Sequence, residues 1–261
     1  MVRAIQARLD GLLVNERVAI PLAVESGSRA WGFPSPDSDY DCRFIFVRAI
    51  DDYLTPWPRR DVIETPLDAV LDVNGWELGK FLKLLLKGNA VAIEWLQSPI
   101  RYRIEPEFRS ALLDFADTHG ARVPIRRHYL HLGVAQWRRL DQIAEVNAKK
   151  LFYSLRPAAA LRWLRVHPQA SVAPMHFLTL LVESDPPAEL IEMVTGLIAA
   201  KAATREMGTI AMPASVRRFV EEAFAQEAQE LAAEPPTRLA PPAKAAGEAL
   251  FRKLVRRFAP R

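Results

Sequence analysis

The spacing of apolar positions changes partway along the chain. Residues 3–14 carry apolar side chains at helical spacing, and the run Val18–Glu25 that follows is short, apolar and rich in strand formers. Pro21 inside that run predicts an edge position or a late strand start. Glycines and prolines punctuate residues 26–38 and rule out one long regular element there. Residues 40–47 (YDCRFIFV) alternate and predict a strand, as do the shorter segments 62–65 and 69–73, separated by residues 66–68. Residues 76–87 (WELGKFLKLLLK) fit an amphipathic helix closed by Gly88-Asn89. From residue 105 onward the period is helical, over 107–118, 126–147, 149–166, 175–183, 187–201 and 214–232. Prolines at 124, 157, 168, 174, 186 and 187 mark helix starts and breaks.

This pattern predicts an α+β fold: a small mixed β-sheet domain with flanking helices over residues 1–104, followed by an all-helical half over 105–232. Residues 233–246 read as a Pro/Ala linker, and 247–261 (GEALFRKLVRRFAPR) as a basic amphipathic helix. No internal repeat is visible.

Composition adds bounds. Half of the 261 residues are hydrophobic and a quarter are charged, so a real core is expected. The net charge of +4 permits a polyanionic partner without demanding one. A single cysteine, Cys42, excludes an intrachain disulfide, and the five histidines stand near no second cysteine, which argues against a Cys/His zinc site. No window approaches ~20 apolar residues and the N-terminus carries no signal-type apolar stretch, so the expected location is cytoplasmic, with no membrane partner. Oligomeric state is not specified by the sequence.

The chemistry concentrates in residues 25–41 (ESGSRAWGFPSPDSDYD). A strand ends in the small turn Gly27-Ser28, where backbone can approach a ligand closely. A helix starting there would present free N–H groups to phosphate, with the Ser28 hydroxyl and the Arg29 charge beside them. Asp39 and Asp41 stand two apart at the head of a strand, and such side chains share a face. Two carboxylates held together repel unless a cation or proton lies between them, and hard oxygen ligands suit Mg²⁺ or Mn²⁺. Asp72, a charge within an apolar strand, is the expected third metal carboxylate and the expected general base on an incoming hydroxyl. Cys42 should point to the opposite face as a small buried hydrophobe.

Gly27-Ser28, ten residues, then Asp39-x-Asp41 resembles the nucleotidyltransferase signature of the DNA polymerase β superfamily. The strings GSRAWGFPSPDSDYDCRFIFV and LDVNGWELGKFLKLLLKGNAVAIEWLQSP resemble more narrowly the bacterial nucleotidyltransferases grouped with the RNA-repair-pathway polymerase-β-like proteins. The resemblance covers roughly residues 15–165. It implies transfer of a nucleoside monophosphate from an NTP to a hydroxyl, with RNA favoured as acceptor and residues 105–232 completing the cleft. It assigns Gly27 and Ser28 to the triphosphate, and Asp39, Asp41 and Asp72 to metal. The block 149–156 (KKLFYSLR) is similar to the helical segment that contacts nucleotide in these enzymes, which implicates Lys149, Lys150, Tyr153 and Arg156. Lys149, Tyr153 and Arg156 can share a helix face, but Pro157 disfavours helix at Arg156.

Plainer readings stand beside these. Gly27-Ser28 and Asp39/Asp41 suit an ordinary turn and its caps, Asp72 a helix cap, and the cations of 149–156 a solvated helix face. Trp31, Trp76 and Trp95 read as core, and His128 and His131 as structural rather than metal-binding. The basic residues at 122–127 and 138–139 are compatible with an RNA acceptor. Two other functions fit the same fold: an antitoxin-like or regulatory binding module, and nucleotidylation of protein.

Overall fold

The structure, a computed structural model, describes residues 1–66, 68, 70–140, 145–203, 209–235 and 238–260. Helix α1 (Val2–Asn15) leads into strand β1 (Val18–Glu25), the four-residue helix α2 (Ser28–Trp31) and strand β2 (Tyr40–Arg48). Strands β3 (Val62–Glu64) and β4 (Leu71–Glu77), helices α3 (Leu78–Leu86) and α4 (Ala90–Gln97), and strand β5 (Arg101–Ile104) complete the N-terminal part. Its mixed five-stranded sheet has the order β3-β4-β2-β1-β5. β2 and β4 run parallel, with Asp41 paired to Asp72, while β1 is antiparallel to β2 and to β5.

Side-chain alternation decides what each face of this sheet does. Cys42, Phe44 and Phe46 of β2 pack with Ile5 and Leu9 of α1 on one face, so Cys42 is the buried hydrophobe its position predicts. Ile45 and Val47 of β2 and Trp76 of β4 point the other way, into the large cluster shared with the helical half. Asp41 and Arg43 follow the alternation of Ile45 and Val47, and Asp72 follows that of Trp76. The carboxylates therefore open the face that the helices cover.

That half consists of α5 (Pro106–His119), α6 (Arg122–Trp137), α7 (Ala148–Val166), α8 (Phe177–Glu183), α9 (Ala188–Ala203) and α10 (Ala214–Ala232). The last helix, α11 (Pro241–Phe258), packs back against α3, α5 and β2. One apolar cluster runs from Leu22 to Val255. The tryptophans expected in the core lie there, with Trp95 2 % exposed and Trp76 stacked on it at 4.1 Å. Among the described residues no helix is long and apolar enough to cross a membrane.

Several boundaries differ from the sequence expectation. β1 is interior rather than an edge, and its register shifts between Ala19 and Leu22. Pro21 is tolerated at that irregularity, where only its carbonyl is needed, as acceptor for the Glu105 amide at 2.7 Å. β4 continues through Gly75 to Glu77, so α3 starts at Leu78 rather than Trp76; Glu77 caps it by accepting from the Gly79 amide at 2.7 Å. The expected helix 126–147 ends at Trp137; its residues 141–144 lie outside the described residues, and 145–147 form strand β6 (Glu145–Asn147), paired with β7 (Thr209–Ala211). α11 starts within the expected linker, with proline in its first turn, where no N–H is required.

Candidate active site

The site begins where β1 ends. Glu25 is fully buried and ties two chain segments together. Its Oε1 accepts from the amides of Gly27 at 3.3 Å and Asp41 at 2.9 Å, and its Oε2 accepts from the Tyr102 hydroxyl. Its backbone carbonyl accepts from Ser98 Oγ at 2.6 Å. Burial raises the Glu25 carboxyl above its usual range, against the lowering effect of the bonds from Tyr102, Asp41 and Gly27. The turn is thereby clamped to the head of β2. A Cβ on Gly27 would stand 1.9 Å from Asp41 Oδ2, so glycine is required here by the approach of a carboxylate.

Residues 28–39 fold back over this turn. Ser28 Oγ donates to Ser38 Oγ at 3.1 Å, and Ser38 Oγ also accepts from the Ser35 amide at 2.9 Å. Arg29 donates to the carbonyls of Ser38 at 2.6 Å and Asp39 at 3.2 Å, with its guanidinium 3.8 Å from the centre of the Tyr40 ring. Arg29 thus staples the loop that delivers Asp39.

Asp41 and Asp72 lie side by side on the parallel pair β2 and β4. Arg43, two residues beyond Asp41 and therefore on the same face, donates to Asp41 Oδ1 at 3.2 Å and to Asp72 Oδ2 at 2.7 Å. Asn74 donates to Asp72 Oδ1 at 3.3 Å. Asp39 is exposed just before β2. Burial raises the Asp41 carboxyl; Arg43 opposes that, and Asp72 and Asp39 add to it by repulsion. The donor chemistry suits a hard divalent cation, because carboxylates that repel one another gain from a positive charge between them. Among the described residues no three such ligands already surround one point, so a cation there would share Asp41 and Asp72 with Arg43 or displace it.

Helix α7 supplies the facing wall. Asn147 caps it, accepting from the Lys149 amide at 2.9 Å. Lys149 is exposed and its charge bears on Asp37 and Asp41. Tyr153, one turn on, meets Trp31 edge-on at 5.7 Å; burial raises its phenol, and the charges of Asp41 and Asp39 raise it further. Lys150 and Tyr153 line a cavity of about 220 Å³ with Gln136, Arg139 and Leu140.

Arg156 has a different setting from the rest of that block. α7 runs unbroken through Pro157, so Arg156 is helical despite the proline that follows it. It is 4 % exposed, donates to Glu94 at 2.6 Å and lies 4.8 Å from the Trp31 ring centre. A guanidinium so enclosed supports Trp31 and α2 from below rather than facing solvent. The basic stretch 122–127 is likewise engaged in structure: Arg122 caps the α7 C-terminus by donating to the carbonyls of Leu164, His167 and Ala170, and Arg126 pairs with Glu227 and Glu230.

Of the ten residues the sequence singles out, the structure gathers Gly27, Asp41, Asp72, Lys149 and Tyr153 around one face, while Ser28 and Arg29 bond within the loop, Asp39 is exposed before β2, Lys150 lines the neighbouring cavity and Arg156 is buried. The sequence reading missed Glu25, Arg43 and Glu94. Arg43 was accessible through the alternation of β2; Glu25 and Glu94 bond to residues far away in the chain.

A glycine turn clamped to a strand head, two carboxylates on adjacent parallel strands, and a helical wall bearing a lysine lie together in a chain whose family is one of polymerase-β-like nucleotidyltransferases. Residues 1–253 match the RNA repair pathway DNA polymerase beta family, and the chain belongs to that family. It is similar to a protein of Bacillus subtilis (strain 168) described as "Uncharacterized protein YcgL", with 38 % identity over 221 residues that cover 83 % of this chain and 84 % of that one.

Proposed function

We propose that this protein transfers a nucleoside monophosphate from an NTP to a hydroxyl acceptor and releases pyrophosphate, with an RNA 3′ end as the acceptor. The observation that carries this reading is the pairing of Asp41 with Asp72 beside the Gly27 turn. Asp39, Asp41 and Asp72 would hold Mg²⁺ or Mn²⁺, which supplies Lewis-acid polarisation of the α-phosphate and charge neutralisation when bound. The Gly27-Ser28 turn cradles the triphosphate, and Lys149 at the start of α7 adds positive charge opposite it. Asp72 accepts the proton of the attacking hydroxyl. Tyr153 walls the cleft and separates it from the cavity beside Lys150 and Arg139, where an acceptor phosphate finds two cations. The family's description favours RNA over other acceptors.

The test is incubation of the full-length chain with labelled NTPs, Mg²⁺ or Mn²⁺ and total RNA, beside Asp41→Asn and the double variant Asp39→Ala/Asp41→Ala. Label should enter RNA with the wild type and fall by at least about a hundredfold in both variants. Incorporation that persists in the double variant would refute the assignment. Label recovered on protein by mass spectrometry, and none on RNA, would replace the acceptor while retaining the reaction.

A further inference from the structure

Helix α9 ends beside the signature loop, and its Lys201 is 1 % exposed. The ammonium donates to the carbonyl oxygen of Phe33 and lies 5.2 Å from the centre of the Phe33 ring. An ammonium has three N–H donors, and buried lysines ordinarily have a carboxylate partner. Among the described residues Lys201 has no carboxylate within ion-pairing distance. Its charged surroundings are Lys149 and Arg29, which repel it, and Asp37, which attracts it. Burial, followed by the repulsion of Lys149, draws the amine down to about 8. Arg29 on α2 and Lys201 on α9 thus bond to carbonyls of residues 28–39, and the charge of Lys149 on α7 acts, with that of Lys201, on Asp37 in the same loop. That is a poor arrangement for a cation left alone, because a buried unpaired charge is strongly destabilising. It is a good arrangement for a polyanion laid along the loop, which neutralises all three together.

We propose that Lys201 is the inner cation of a polyphosphate pocket, with Lys149 the outer one, and that together they make affinity depend on the number of phosphates in the ligand. The inference rests on the nucleotidyl-transfer reading and extends it to a residue far outside the signature segment. A monophosphate placed at the carboxylates meets Lys149 alone. A triphosphate tail following the loop toward Phe33 also meets the field of Lys201. The same arrangement holds the departing pyrophosphate after transfer.

The test is calorimetric titration of the full-length chain with AMP, ATP and inorganic tripolyphosphate, each with Mg²⁺. Lys201→Met, which keeps the apolar stem, should weaken ATP and tripolyphosphate by roughly tenfold or more and leave AMP nearly unchanged. Lys201→Arg should recover most of the loss. Equal weakening of AMP and ATP would show that Lys201 merely pins Phe33, and would overturn the proposal. Unchanged ATP and tripolyphosphate affinity in Lys201→Met would overturn it while leaving nucleotidyl transfer intact. A wild-type chain that binds neither ATP nor tripolyphosphate would overturn both. Should Lys201→Met fail to fold, NMR titration of labelled lysine in the wild type answers the same question. Bound tripolyphosphate should raise the Lys201 titration midpoint, and a midpoint that does not move overturns the proposal.

Discussion

At the scale of single residues, the site depends on a buried carboxyl that touches no substrate. Glu25 holds the amides of Gly27 and Asp41 on one oxygen and the Tyr102 hydroxyl on the other. Burial raises its pKa above the ordinary 4.5. A group whose folded pKa is raised contributes stability that is fully present below its unfolded value and is lost as pH climbs through the folded one. Glutamine keeps an oxygen for the two amides and carries no charge to bury. Glu25→Gln should therefore melt at a higher temperature than the wild type near neutrality, and the gap should close as pH falls toward 4.5. Thermal melts across the acidic-to-neutral range check this. A less stable variant at neutral pH would show that the ionised form is the one the turn requires.

At the scale of elements, the buried pair Glu94–Arg156 joins α4 to α7 with both side chains 5 % exposed. Removing one partner of such a pair leaves an uncompensated charge and costs about 3–5 kcal/mol, whereas replacing both by apolar residues is often neutral. Glu94→Leu should lose about that much in urea unfolding, and Glu94→Leu/Arg156→Met should recover most of it. A double variant no better than the single one would show that the pair's charges are not what Glu94 contributes. This pair also shows which parts of the structure the sequence could reveal. Helices α1 and α3 and strand β2 follow from period and local chemistry, which act over a few residues, whereas the side-by-side placing of Asp41 and Asp72 comes from the parallel pairing of two distant strands. Glu94 and Arg156 are 62 positions apart, and Glu25 and Tyr102 are 77 apart, so no local pattern announces them. β6 and β7 have three residues each, too few to show a period. The α3 boundary was missed because Trp76 satisfies both the strand alternation of β4 and the helical spacing that follows it.

At the scale of the whole molecule, the chain closes on itself. α11 covers the N-terminal part with Leu254 fully buried and Val255 6 % exposed, and it sets Phe251 against Tyr53 at 5.2 Å and Phe258 against Phe108 at 5.3 Å. Each large apolar side chain removed from water stabilises by about 1.5–3 kcal/mol. Deleting residues 241–261 should lower the melting temperature by on the order of 10 °C and increase binding of an apolar dye. A truncated chain that melts with the wild type would show α11 to be merely appended. A different consequence follows from Pro157. Lacking an N–H, it gives nothing to the carbonyl of Tyr153, so α7 misses one rung directly behind the residues that face the carboxylates. Beyond that rung, Ala158, Ala159 and Ala160 are held in the core. On the near side of it Leu151, Phe152 and Leu155 are buried in the same core, so packing holds α7 on both sides of the missing bond. The wall that carries Lys149 and Tyr153 is therefore placed by side-chain packing, and one absent backbone bond behind it costs the site nothing in position.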